Sequence, residues 1–161
     1  MSAINQIESI HKSNRNVRAE NLINETKVLN IARLAKMLVD LYGQEEPFEK
    51  IGNFENKEIE LYLKDLGGYI TFILTSDRNK FNCHAEQAKD PIARIIITVK
   101  EDKILSVISN IIRSKHNVFG VLKLLKYIIP RKAKIKGSYI AAIKLARCLM
   151  IGKHIMYKTG I

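Results

Sequence analysis

The residues best equipped for chemistry stand apart from one another. His11, His84, His116 and His154 are scattered along the 161-residue chain. None forms the H-x-x-x-H pair that would present two imidazoles on one helical face to a metal. Cys83 and His84 are adjacent, so on a strand they point to opposite faces and cannot act as a nucleophile and its base. Cys83 and Cys148 match no C-x-x-C spacing and read as reduced thiols of a cytoplasmic protein. The acid pairs Glu45-Glu46 and Glu101-Asp102 suit loop solvation and the first turn of a helix better than acid/base work. Neither G-x-x-x-x-G-K-[ST] nor G-x-G-x-x-G occurs, and Gly67-Gly68 joins two strand-like segments without opening a helix. The expectation is a protein that is not an enzyme, with no catalytic residues, no metal and no cofactor.

The elements that would position any binding site follow from periodicity. Residues 1–24 are polar apart from Ile4, Ile7 and Ile10, which predicts a partly helical or flexible arm. A firmer helix is expected from Glu25, where Val28, Ile31, Ala32, Ala35, Leu38, Val39 and Tyr42 recur at three- and four-residue steps before Gly43. The period then changes to two. Ile59, Leu61 and Leu63 alternate with Glu60, Tyr62 and Lys64, and YITFILTS follows Gly67-Gly68, which predicts a hairpin. A third strand is expected within Phe81 to Gln87, and ARIIITVK, rich in β-branched residues, is the clearest strand of all.

After Lys100 the pattern becomes helical again. Asp102 suits an N-cap for a helix with Ile104, Val107, Ile108, Ile111 and Ile112 on one face. A second helix, from Asn117 to Pro130, has only Lys123 and Lys126 on a wet side. AKIKG fits a last strand ending at Gly137, and Ser138 suits the cap of a final helix, YIAAIKLARCLMI. An ordinary core-facing helix needs an apolar stripe of about 100°. The last two helices exceed that, and the surplus must meet something nonaqueous.

Charge divides the chain near Lys100. Residues 1–99 hold 13 Lys/Arg and 14 Asp/Glu, a net −1, whereas residues 100–161 hold 14 and 2, a net +12. A basic half of this kind suits an anionic partner: nucleic acid, an anionic membrane surface, or a phosphate- or carboxylate-bearing ligand. For nucleic acid the segment is poor in stacking aromatics, chiefly Phe119, Tyr127, Tyr139 and Tyr157. A helix-mediated interaction or oligomerisation module is a third reading of the apolar helices.

The order of elements resembles the sterol carrier protein type 2 family, the sterol-binding domains, from about Glu25 to Met150. DPIARIIITVKEDKILSVI is similar to the strand and following helix of that family, and KAKIKGSYIAAIKLARCL to its lysine-rich strand, glycine and last helix. The glycine-lysine stretch that ordinarily precedes this strand is replaced by the longer, greasier RSKHNVFGVLKLLKYIIPRK. The resemblance implies an α/β (α+β) fold over residues 25–161: a mostly antiparallel five-stranded sheet, helices on one face, and a hydrophobic tunnel between them. It implies non-enzymatic binding or transfer of a lipid-like ligand such as a fatty acid, fatty acyl-CoA, sterol or phospholipid. Mapped onto this sequence, Ile104, Leu105, Ile108, Phe119, Leu122, Leu125, Ile140, Ile143 and Leu149 would line the tunnel. Lys132, Lys134 and Lys136 would attract a headgroup or an anionic membrane, at roughly 1 kcal/mol per lysine near a charged bilayer.

Overall fold

The computed structural model describes residues 3–98, 100, 103 and 133–149, with side chains from residue 14 onward. Helix α1 (Ala3–Tyr42) comes first, then the single turn α2 (Glu45–Glu49), strands β1 (Glu58–Leu63), β2 (Gly68–Ile73), β3 (Asn82–His84), β4 (Ala93–Ile97) and β5 (Ala133–Gly137), and helix α3 (Tyr139–Cys148). The strands make one sheet in the order β3-β2-β1-β4-β5. Pairs β2–β3, β1–β2 and β4–β5 run antiparallel, but the central pair β1–β4 is parallel, so the sheet is mixed rather than mostly antiparallel. The physical reason is the connection after β3. Instead of turning back beside its neighbour, the chain crosses β2 and β1 and pairs on their far side, which leaves β4 running with β1.

Strand alternation sorts the sheet into two faces. Ile59, Leu61, Leu63, Ile70, Phe72, Cys83, Ala93, Ile95, Ile97 and Ile135 share one face by register. The second half of α1 covers the β2–β3 side of it through Val28, Ala32 and Val39, all buried. Helix α3 covers β4, β1 and β5 through Ala141, Leu145 and Cys148. Phe48 and Ile51 close the core near α2, with Phe81 set edge-on to Phe48 and nearly parallel to Phe72. Each fully buried Val, Leu, Ile or Phe among them contributes about 1.5–3 kcal/mol of transfer free energy.

The expected helix start at Glu25 lies well inside α1, which is continuous from Ala3 and about 60 Å long at 1.5 Å per residue. Its early turns carry exposed Val17, Leu22 and Ile23. The other end stops where expected, with the Gly43 N–H donating to the Val39 carbonyl at 2.8 Å. Arg78 fixes this end. Its guanidinium donates to the Asp40 and Gly43 carbonyls, both at 3.2 Å, and pairs with Glu45 at 2.8 Å, a cation at the negative end of the helix dipole.

Two glycines permit close approaches. A Cβ on Gly68 would stand 2.4 Å from Val28 Cγ2, so α1 packs directly on the start of β2. Gly137 has φ +86°, and a Cβ there would stand 2.4 Å from the Ile92 carbonyl oxygen. The chain turns at that point: the Ser138 N–H donates to the same Ile92 oxygen at 2.9 Å, and the Ser138 hydroxyl accepts from the Ala141 N–H at 3.2 Å, capping α3 as the sequence predicts. Gly137→Ala should therefore destabilise the protein by at least about 2 kcal/mol, combining left-handed strain with the clash. A urea denaturation midpoint measures this, and an unchanged midpoint would contradict the assigned role.

Candidate functional site

A half-buried apolar patch lies on the helix-covered face of the sheet. Ile59 and Ala93, register partners at one end of β1 and β4, are fully buried. Further along, Leu61, Ile95 and Ile97 pack against the core yet remain half-buried. They adjoin Ala133, also half-buried, through the Ile97–Ala133 register pair. Helix α3 springs from the opposite end of β5, beyond the Ala93–Gly137 pair. The patch thus sits where β4 ends and β5 begins, and the intervening segment departs from and returns to the same end of the sheet.

Of the residues expected to line a tunnel, Ile104, Leu105, Ile108, Phe119, Leu122 and Leu125 lie outside the described residues, as do Lys132 and the cap Asp102. Ile140, in the first turn of α3, is 63% exposed. Ile143 and Leu149 are half-buried, and Leu149 packs against the core. Lys134 and Lys136 are exposed and alternate with buried Ile135, so they stand on the face of the sheet away from the helices. The apolar patch and the two lysines are separated by the thickness of the sheet. Leu61, Ile95 and Ile97 were not singled out from sequence. The signal was present, because all three share a strand face with Ile59 once β1 and β4 are paired.

Lys144, the polar edge of the last helix in the sequence, serves an internal role. Its ammonium donates to the Lys50 carbonyl and, at 3.0 Å, to the Ile51 carbonyl, and lies 5.5 Å from the centre of the Phe54 ring. It ties α3 to the chain just after α2 through the Lys50 and Ile51 carbonyls.

Elsewhere, a groove of about 640 Å³ runs between α1 and the edge strand β3. Leu29, Met37, Leu41, Arg33, Lys36, Cys83 and His84 are among its lining residues. Lys36 and Asp40 form an ion pair one helical turn apart. The Cys83 thiol donates to the Ala32 carbonyl at 3.1 Å, while His84 is exposed on the other face, so the two neighbours diverge. Burial pushes the Cys83 thiol up to about 11 and the Cys148 thiol up to about 12. Both cysteines are free. Among the described residues no group of three His, Cys, Asp or Glu side chains could hold a metal ion, and no helix is long and apolar enough to cross a membrane.

No protein-family model and no curated protein sequence matches the chain. A solved structure titled "UbiJ-SCP2 Ubiquinone synthesis protein" superposes with a TM-score of 0.51 at 10% identity, over 77% of this chain and 93% of that one. The protein therefore has an SCP2-like fold, as the sequence resemblance implied.

The raised thiols set the behaviour of the fold in alkali. Protonated sulfur is the form the native state prefers, so its contribution is complete below the ordinary value of 9.0 and is lost as pH rises toward about 12. Native protein at pH 8 should react slowly with a chromogenic disulfide at both thiols, and promptly in denaturant. Fast stoichiometric labelling of Cys148 in the native state would contradict its burial.

Proposed function

We propose that this protein binds a lipid-like ligand, a molecule with a long apolar body and a small polar end, in a hydrophobic space between the sheet and its helices, without catalysing a reaction on it. The observation that carries the proposal is the half-buried patch of Leu61, Ile95 and Ile97 on a sheet face that is otherwise closed by α1 and α3. Residues 104–132 connect the two strands flanking that patch, and their sequence holds the surplus of apolar side chains: Ile104, Leu105 and Ile108, then Phe119, Leu122 and Leu125. In this reading the ligand lies against the patch, with Ile143 of α3 and Leu149, which packs against the core just past the end of α3, as further apolar neighbours.

The SCP2-like fold supports the reading in a general sense. Fatty acids, fatty acyl-CoAs, sterol-like molecules and phospholipids all have the required chemistry. The reading covers binding and transfer alike, because both need only an apolar enclosure whose opening admits a chain.

Organic extraction of natively expressed protein followed by mass spectrometry should recover lipid in stoichiometric amount, and the emptied protein should bind a fluorescent fatty acid. Ile95→Trp, which fills space beside Leu61, should weaken that binding about tenfold, equivalent to about 1.4 kcal/mol. Its melting temperature should remain close to that of the parent. Empty protein with no affinity for apolar probes would sink the proposal.

A further inference from the structure

The sheet face opposite the helices is itself divided. The crossover between His84 and Ala93 lies over one part of it. There the Thr71 hydroxyl donates to the Glu86 carbonyl at 2.7 Å, the Ile92 N–H donates to the Glu58 carbonyl at 3.0 Å, and Ala88 is buried. A row of register partners crosses the sheet at this level: His84, Thr71, Glu60, Arg94 and Lys136. Glu60 has no exposed surface and pairs with the Arg94 guanidinium, with Nη2 3.5 Å from Oε2 and Nε against Oε1. Burial of this carboxylate makes Arg94 its obligatory partner.

The next row is Tyr69, Tyr62, Ile96 and Lys134. It is more open: the first three are half-buried and Lys134 is exposed. Tyr62 and Tyr69 stack with centroids 4.6 Å apart and an interplanar angle of 24°. Lys136 stands directly across from Arg94, an arrangement of like charges that costs stability in a sheet. Glu60 already engages Arg94, and among the described residues no carboxylate pairs with Lys134 or Lys136. Glu58 and Glu60, the strand carboxylates of this face, lie at the crossover end.

We infer that the open part of this face, built from Tyr62, Tyr69, Ile96, Lys134 and Lys136, docks the protein on an anionic lipid bilayer. Charge complementarity decides the sign of the partner, because two uncompensated ammonium groups project from a strand already facing a guanidinium. The tyrosines decide between partners of that sign. Their rings are stacked on one another, which withdraws π-surface from nucleobases, while a phenol on an apolar body suits the headgroup level of a bilayer. The lysine stems and Ile96 extend the apolar part, with the ammonium groups reaching phosphates. The surface lies across the sheet from the proposed ligand space and does not depend on it.

Sedimentation with vesicles tests the assignment. Wild-type protein should bind phosphatidylcholine vesicles containing about 30% phosphatidylserine, bind pure phosphatidylcholine poorly, and be released by high salt. The double variant Lys134→Glu/Lys136→Glu should bind anionic vesicles at least about tenfold more weakly, given roughly fivefold per lysine. Lys134→Gln/Lys136→Gln should show a smaller loss in the same direction, and Arg33→Glu, on α1, should bind as wild type. All variants should retain the parental circular dichroism melt and fatty-acid binding, which separates this surface from the ligand reading. Vesicle binding unaffected by the lysine substitutions would overturn the inference. So would absent vesicle binding accompanied by salt-sensitive, lysine-dependent retention of a single-stranded oligonucleotide.

Discussion

The architecture depends on the parallel pairing of β1 with β4. A parallel neighbour cannot be reached by a tight turn, so the chain leaving β3 must travel back across the sheet. It does so as a short extended crossover on the face that the helices do not occupy. This one constraint accounts for the complete burial of Glu60, the need for Arg94 beside it, and the hydroxyl of Thr71 turned to a loop carbonyl. It also leaves the other face for α1 and α3.

The same pairing gathers the half-buried apolar residues of the helix-covered face. Strand β4 ends at Ile97 beside the start of β5 at Ala133, with Leu61 and Ile95 close by on the shared face. The helices seal the sheet elsewhere: α1 by direct contact of Val28 with Gly68, α3 through its Ser138 cap and the Lys144 tie to the chain just after α2. Apolar surface is therefore retained at one defined place on the helix side, and cationic surface at another on the opposite side. The proposed lipid-like ligand and the inferred membrane contact would thus use different faces of one small sheet.

Much of this was legible in the sequence wherever the determinant is local. The β1–β2 hairpin announces itself by alternation and paired glycines, the α3 cap by Gly137-Ser138, and the end of α1 by Gly43. Direction and partnership were not legible, because ARIIITVK has the same alternation whether it pairs parallel or antiparallel. The early turns of α1 were underestimated since polar residues such as Asn14, Asn16 and Asn21 carry no stripe, although the helix runs through them. Glu60 looked like an ordinary solvent-side residue, for its burial comes from a loop far along the chain. Lys134 and Lys136 were correctly separable from Ile135 by period two, but which face the helices occupy is decided only when the sheet is assembled.

The central claim is that an apolar ligand lies against Leu61, Ile95 and Ile97, and paramagnetic broadening by a bound spin-labelled fatty acid tests it most directly. With isoleucine and leucine methyl groups labelled, the account predicts strong, saturable broadening of Leu61, Ile95 and Ile97, and little effect on Ile73 and Ile96 across the sheet. Broadening confined to Ile73 and Ile96, or none at saturating probe, would contradict it.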